Sequence, residues 1–174
     1  MTNVLEHFKR IKAFVFDVDG VLATDLLLVL QDGELARQMN SKDGYALQLA
    51  VKKGYKVAII SGGTSLAVKE RLVRLGVTDV FLSIKNKREV LEEYVKTNNL
   101  SYDEIIFMGD DIPDHECMTM VGLPCCPADA VDEIKTISKY ISPIKGGYGC
   151  GRDVIEKTLK LNNHWGIDTS VASR

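Results

Sequence analysis

Short apolar runs alternate with longer stretches of helical period along most of the chain. The runs are rich in β-branched and aromatic residues and read KAFVFDV, KVAIIS, DVFLS, EIIFMG and GLPCC. Their apolar side chains would occupy both faces of a strand, which is typical of strands buried in a parallel sheet. The stretches between and after them predict helices over residues 44–53, 64–75, 87–97, 114–121, 131–136 and 153–161. This alternation predicts an α/β fold with a doubly wound parallel sheet.

One insertion, residues 25–40, interrupts the alternation. Its sequence, DLLLVLQDGELARQMN, predicts two short strands that meet at Asp32-Gly33, a frequent two-residue hairpin turn. The first arm, Leu26 to Leu30, is apolar at every position. This hairpin either folds back on its own domain or is buried against another subunit. We favour the second placement, because an exposed apolar flap marks an interface.

Length and composition fit one globular domain, residues 1–174, which is 45% hydrophobic and 26% charged. The net charge of −2 creates no basic field, so we expect no nucleic-acid partner. No apolar run approaches the ~20 residues of a membrane span, and the start, MTNVLEHFKRIK, lacks the apolar centre of a signal peptide. We therefore expect a cytoplasmic protein without a membrane partner. Four cysteines without C-x-x-C spacing predict reduced, buried thiols, and three scattered histidines do not predict a metal site.

Chemically capable side chains follow the carboxyl ends of successive predicted strands. Asp17 and Asp19 follow the first strand, Ser61 the second, and Asp110 the fourth, while Lys87 comes after the third. Each residue taken alone has a structural explanation as a turn former, a helix cap or a solvated charge. Ligands of doubly wound sheets bind beyond the carboxyl ends of the strands, however, so the joint placement favours function.

The residue types at these strand ends predict phosphoryl transfer. Two carboxylates two residues apart in a strand would point the same way and repel unless the chain turns or a cation lies beside them. Carboxylate oxygens with few histidines suit Mg²⁺. A hydroxyl and an ammonium group suit phosphate oxygens. The acidic positions are Asp17, Asp19, Asp110, Asp111 and Asp114.

The sequence resembles the haloacid dehalogenase superfamily of phosphotransferases through DVDGV, IISG, the second lysine of IKNKREVL and GDDIPD, which stand in the family order. The resemblance implies a Rossmann-like core in which Asp17 is the nucleophile that forms an aspartyl-phosphate. Asp19 would protonate the leaving alcohol and then deprotonate the hydrolytic water. Asp17, the backbone carbonyl of Asp19 and Asp110 would hold Mg²⁺, with Asp111 and Asp114 nearby.

Family members carry their specificity in a cap domain, and this chain has no room for one. Only the hairpin follows the first motif, and residues 62–86 alone separate the second motif from the third. Within the superfamily, DGYALQLAVKKGYKVAIISG, RLGVTDVFLSIKNK and GGYGCGRDVIE resemble capless phosphatases of eight- or nine-carbon 3-deoxy-2-keto sugar acids. That resemblance implies a homotetramer joined through the hairpins, in which a neighbour completes each active site.

Three arginines are candidates for the carboxylate of such a sugar acid. Arg71 and Arg74 are three apart on the predicted helix after Ser61 and share a face, although a solvated basic face has the same pattern. The resemblance implies that this helix of a neighbour contacts the sugar acid. Arg152, beside the glycine-rich GGYGCG, is the next candidate. Ser61, Gly62 and Lys87 would bind the phosphoryl group.

Two alternatives stay open at this point. The nine-carbon acid phosphatases tend to carry a glutamate after the second motif, and Gly63 in that place favours the eight-carbon substrate used for lipopolysaccharide over the nine-carbon KDN or N-acetylneuraminate 9-phosphates. ATDL stands where the group has TDG, which leaves the role of Asp25 open. A receiver domain has similar residue types, but receivers place the phosphorylated aspartate on a middle strand rather than on strand one.

Overall fold

The computed structural model describes residues 3–171, so Met1, Thr2 and residues 172–174 of the predicted domain lie outside the described residues. Within the described residues, eight strands and seven α-helices form. The strands are β1 Ala13–Phe16, β2 Leu28–Val29, β3 Leu35–Ala36, β4 Lys56–Ile60, β5 Asp79–Phe81, β6 Ile105–Met108, β7 Leu123–Cys126 and β8 Tyr140–Ile141. The helices are α1 Val4–Arg10, α2 Ser41–Lys52, α3 Leu66–Arg74, α4 Lys87–Thr97, α5 His115–Met120, α6 Asp132–Ile137 and α7 Cys150–Leu161.

The main sheet confirms the predicted fold class. Six strands of the described chain pair in the order β5-β4-β1-β6-β7-β8, and each neighbouring pair is parallel. The central strand β1 places Phe14 beside Val57 of β4 and Ile106 of β6. Because β1, β4 and β6 are adjacent, the loops that follow their carboxyl ends meet at one edge of the sheet.

Helices cover both faces of this sheet. On one face, α2, α3 and α7 pack side chains such as Leu47, Leu72 and Leu159 against the sheet. On the other face, α4, α5 and α6 contribute residues such as Leu91 and Met118. Every strand residue of β1, β6 and β7 is buried, which explains why their sequences are apolar without alternation. No helix among residues 3–171 has the length and apolar character that crossing a bilayer requires.

The structure departs from the sequence prediction mainly in short elements and helix starts. Helix α1 and the two-residue strand β8 were absent from the prediction. Helix α2 begins earlier than the predicted Gly44, because the Asn40 side chain accepts a hydrogen bond from the Lys42 N–H at 2.8 Å and caps it. The four cysteines are free and buried, as expected.

The insertion forms a hairpin as predicted, but its loop has three residues, 31–33, rather than two, because the Leu30 N–H donates to the Glu34 carbonyl at 2.8 Å. Strands β2 and β3 pair antiparallel, and Gly33 has a φ of 85°, the left-handed conformation that glycine adopts readily. The apolar arm lies away from the core of its own domain: Leu26 is 79% and Val29 70% exposed. An apolar strand in this position is a surface that another chain can cover.

Candidate active site

The first strand delivers two carboxylates to the carboxyl edge of the sheet. Asp17 directly follows β1, is buried, and donates its N–H to the Met108 carbonyl at 3.1 Å. Its Oδ1 accepts from the Val18 N–H at 2.7 Å. The chain then turns at Gly20, whose φ is 79°, and a Cβ at this position would collide with the Asp110 carboxylate. Asp17 and Asp19 line the same pocket but have different partners, Lys87 for Asp17 and Arg37 for Asp19.

Three carboxylates form a compact cluster. One oxygen each of Asp17, Asp110 and Asp114 lies within 4.8 Å of the others. Asp114 is fully buried, and its Oδ2 accepts from the Asp110 N–H at 3.1 Å. Burial, followed by repulsion from the neighbouring carboxylates, raises the pKa of Asp17 to about 6 and that of Asp110 to about 8. A divalent cation removes this penalty, so the cluster fits Mg²⁺.

Lys87 opens α4 and binds two members of this cluster. Its Nζ lies 2.9 Å from Oδ2 of Asp17 and 2.7 Å from Oδ1 of Asp114. Burial lowers the pKa of Lys87, but the two carboxylates outweigh burial and the net shift is upward. The side chain is therefore a fixed ammonium group beside Asp17, where it can meet an anion that arrives there.

The loop after β4 supplies small polar groups to the same site. Ser61 is buried, its N–H donates to the Phe81 carbonyl at 2.9 Å, and its Oγ accepts from the Gly63 N–H at 3.1 Å. Together these segments line a pocket of about 490 Å³. Its described lining is Asp17, Asp19, Asp25, Ser61, Gly62, Gly63, Ile84, Lys85, Lys87, Asp110, Asp111, Pro113 and Asp114. A larger cavity of about 840 Å³ lies at the amino ends of the strands. Its described lining does not include the clustered aspartates or the buried lysine of this pocket.

Arg37 is the site residue that sequence reasoning missed. Its Nε lies 2.6 Å from Oδ1 of Asp19 and its Nη2 lies 2.9 Å from Oδ2, so the guanidinium binds both oxygens. A Cβ on Gly63 would lie 3.1 Å from Nη2 of Arg37, so the glycine leaves room for this group. The only signal in the sequence was a cation in the second arm of a hairpin, which does not say where the arm lies.

Of the other predicted residues, Asp111 lies in the pocket, whereas Arg71 and Arg74 do not. Asp111 lines the pocket, and its Oδ1 accepts from the Ile112 N–H at 2.8 Å. Arg71 and Arg74 lie on α3, outside the described lining of this pocket. Arg71 is half-buried beside the hairpin, and the exposed Arg74 approaches Glu70 at 3.7 Å.

Arg152 does not reach the pocket of its own subunit. Its Nε binds Glu156 at 3.0 Å, and its guanidinium carbon lies 5.7 Å from the ring centroid of Tyr45 and 5.2 Å from that of Trp165. Cation–π and ion-pair contacts thus hold the side chain between α2 and the segment after α7. These partners bind the Arg152 guanidinium within one chain, and its contact with the sugar acid stays a prediction.

The site has the features of a phosphoryl-transfer enzyme on a doubly wound sheet. These are aspartates beyond β1 and β6, a hydroxyl beyond β4 and a buried lysine. A sequence profile described as haloacid dehalogenase-like hydrolase matches residues 74–146. The chain is 30% identical over 158 residues to the 3-deoxy-D-manno-octulosonate 8-phosphate phosphatase of Salmonella typhi, covering 91% of this chain and 84% of the relative. The chain belongs to the haloacid dehalogenase family, and it is a phosphoric monoester hydrolase.

Solved structures agree with this assignment. A 3-deoxy-D-manno-octulosonate 8-phosphate phosphatase from Yersinia pestis superposes with a TM-score of 0.90 at 28% identity, covering 92% of this chain and 87% of that one. One from Moraxella catarrhalis, in complex with magnesium, phosphate and KDO, gives 0.89 at 28% identity and covers 94% and 95%. With the acidic cluster described above, these likenesses make Mg²⁺ the cofactor.

Proposed function

We propose that this phosphatase hydrolyses 3-deoxy-D-manno-octulosonate 8-phosphate to the free eight-carbon acid and inorganic phosphate, in the cytoplasm, for lipopolysaccharide synthesis. The observation that carries the chemistry is the contact between Lys87 and Asp17. Asp17 belongs to the carboxylate cluster that it forms with Asp110 and Asp114. The relatives support the substrate through what they act on. Gly63, which adds no acidic side chain after the second motif, supports the eight-carbon acid over a nine-carbon one.

The reaction proceeds in two displacements. In the first, a carboxylate oxygen of Asp17 attacks phosphorus, the bond between phosphorus and the ester oxygen breaks, and the leaving alkoxide takes a proton from Asp19. Asp19 would carry that proton on an oxygen that Arg37 has released, since the guanidinium only donates hydrogen bonds. In the second, Asp19 removes a proton from water as that water attacks phosphorus, and the bond to Asp17 breaks to release phosphate. Lys87 keeps Asp17 ionised and directed into the pocket, since an ammonium group beside a carboxylate favours its charged form.

The metal and the phosphoryl group would share the buried end of the pocket. Asp17, the backbone carbonyl of Asp19 and Asp110 would hold Mg²⁺, with Asp111 and Asp114 just outside. Bound Mg²⁺ supplies positive charge that offsets the carboxylates and the phosphate oxygens. The Ser61 hydroxyl, the Gly62 backbone and the Lys87 ammonium group would bind the phosphoryl oxygens.

The remainder of the substrate would meet a second subunit. We propose a homotetramer in which the exposed arm Leu26 to Leu30 is covered by other copies of the chain, which its apolar surface supports. Arg71 and Arg74 lie outside their own pocket, so they would contact the sugar acid bound to a neighbour. Guanidinium groups suit planar carboxylates.

The test of this function is the release of phosphate in the presence of Mg²⁺. The panel contains octulosonate 8-phosphate, the 9-phosphates of KDN and N-acetylneuraminate, and D-arabinose 5-phosphate, which lacks a carboxylate. We expect the highest kcat/KM for the octulosonate ester. Preference for a nine-carbon ester would transfer the assignment to that substrate, and equal rates would describe a general phosphatase. Stoichiometric labelling without turnover would instead indicate a receiver-like signalling domain.

A further inference from the structure

The phosphoryl pocket contains far more negative than positive charge. Among the described residues, its lining includes six carboxylates and two lysines. Lys87 is bound by two of those carboxylates, and the adjacent Arg37 is bound by Asp19. Lys85 is the remaining cation of the lining, and within residues 3–171 its side chain forms no ion pair and no hydrogen bond. One positive charge at this pocket is therefore available to a ligand.

The backbone on both sides of Lys85 is fixed. The Ile84 N–H donates to the carbonyl of Ser61 at 3.1 Å, which ties the segment before Lys85 to the loop that follows β4. On the other side, the Asn86 side chain caps α4 by accepting a backbone N–H at 3.3 Å. The exposed Lys85 side chain thus begins at a defined point on the pocket lining while its ammonium group stays free.

The pocket needs such a cation if its substrate has a second anionic group. The phosphoryl end has Lys87 and the metal, but a carboxylate farther out would meet aspartates of the same sign, including Asp25 and Asp111. The substrate carboxylate and these aspartates repel one another unless a cation lies between them. An exposed lysine next to a helix cap is otherwise only solvated, and solvation alone would give no dependence on the charge of the substrate.

We propose that Lys85 binds the carboxylate of the substrate from within the subunit that holds the nucleophile. This inference rests on the proposed function, because it requires a substrate with an anionic group besides the phosphate. An ammonium group on a flexible stem has three donors and can follow a carboxylate or hydroxyl oxygen at the rim. Arg71 and Arg74 would reach the same substrate only across a subunit boundary, so Lys85 is the contact that does not depend on assembly.

The test compares Lys85→Met with the unchanged enzyme on octulosonate 8-phosphate and on D-arabinose 5-phosphate. We expect kcat/KM for the carboxylate-bearing ester to fall about 10- to 100-fold, mainly through a higher KM, while kcat/KM for arabinose 5-phosphate changes little. Lys85→Arg should retain most of the activity, because a guanidinium also binds carboxylates. Lys53→Met is the matched control, since it removes an exposed lysine at the opposite edge of the sheet.

Other outcomes overturn the inference. Equal losses on both esters would mean that Lys85 serves the phosphoryl group or the fold, and no loss on either would mean that it is only solvated. In both cases the proposed function stands as long as the unchanged enzyme prefers octulosonate 8-phosphate. If the unchanged enzyme does not favour carboxylate-bearing esters, the proposed function fails, and the role of Lys85 fails with it.

Discussion

The guanidinium of Arg37 binds both carboxylate oxygens of Asp19, at 2.6 Å and 2.9 Å. Arg37 lies just beyond β3 of the inserted hairpin, whereas Asp19 lies in the turn after β1, and the arginine side chain is only 6% exposed. A bidentate, shielded pair of this kind fixes the direction of the carboxylate. The hairpin thus has a structural connection to the group that we assign to proton transfer.

Arg37→Ala tests whether this connection serves catalysis. Asp19 would lose its fixed direction, and we expect kcat to fall about tenfold, a part of the 10²–10⁴ that a general acid–base group contributes. Arg37→Lys should give an intermediate value, because a lysine cannot reproduce the bidentate contact. Steady-state rates with octulosonate 8-phosphate and p-nitrophenyl phosphate measure the effect. A faster variant would show that the pair restrains Asp19 rather than positioning it.

Asp17→Asn tests the nucleophile. An amide does not attack phosphorus, so turnover should be abolished, while Asp19→Asn should slow it by about 10²–10⁴ because that residue only moves protons. Phosphate release and thermal melting of both variants provide the measurement. Intact melting curves would exclude unfolding as the cause, and substantial phosphatase activity in Asp17→Asn would remove the covalent mechanism.

Magnesium should stabilise the fold as well as support the reaction. Asp17, Asp110 and Asp114 bring carboxylate oxygens within 4.8 Å of one another, and a cation bound only by the folded chain shifts unfolding by about 2.7 kcal/mol at 100 times its Kd. We expect Tm to rise with Mg²⁺ and to fall again with a chelator. Asp110→Asn should remove most of this shift, while Asp132→Asn, at the start of α6, should leave it unchanged. An unchanged shift in Asp110→Asn would place the metal elsewhere.

Asp43 should make the protein less stable as pH rises through the weakly acidic range. Burial raises the pKa of Asp43 to about 6 from its ordinary 3.8, although its Oδ1 accepts a hydrogen bond from the backbone N–H of Arg152 at 2.6 Å. Between these values the folded state binds more protons than the unfolded state, so the free energy of unfolding decreases with pH. At 1.36 kcal/mol per unit the loss is about 2–3 kcal/mol, complete above pH 6.

Asp43→Asn isolates this contribution, because asparagine does not ionise. The difference in unfolding free energy between the variant and the unchanged protein, from urea melts at pH 4.5 and pH 7, should move in favour of the variant at the higher pH. A difference that is constant with pH would show that Asp43 has an ordinary pKa in the folded protein.

Charged side chains on the hairpin should break the proposed tetramer. Leu28 is 65% and Leu30 41% exposed in the single chain, so replacing either by lysine disturbs few contacts within the domain. If other subunits cover this arm, Leu28→Lys and Leu30→Lys should lower the molar mass in light scattering and reduce activity on octulosonate 8-phosphate together. An unchanged protein that is monomeric at micromolar concentration and fully active would contradict the proposed tetramer.

The sequence predicted the centre of the site well because two local rules coincide there. Apolar runs identify β1, β4 and β6, and the doubly wound sheet gathers the residues that follow them. Asp17, Ser61 and Asp110 accordingly line one pocket with Lys87. No knowledge of side-chain packing was needed for that result.

Features that depend on packing escaped prediction. Arg37 reaches Asp19 because the chain after β3 returns to the turn after β1, where Met39 pairs with Ala23, and no periodicity encodes that direction. Helix α1 buries only Phe8 among its seven residues, and β8 has two, so both depend on tertiary contacts rather than on local preference. Trp165, in a segment without a readable pattern, packs edge-to-face against Tyr45 with ring centroids 6.0 Å apart and helps to hold Arg152.

The strand order determines when the active site can form during folding. Asp17, which we propose as the nucleophile, Ser61 and Asp110 follow β1, β4 and β6, three neighbouring strands whose sequences lie far apart. Parallel pairing between distant segments closes long loops and is slow compared with helix formation. During refolding, the far-ultraviolet helix signal should therefore recover before the ability to release phosphate. A nascent chain that ends before Ile105 already contains Asp17, the proposed nucleophile, yet it lacks Asp110 until the next strand has been synthesised and paired.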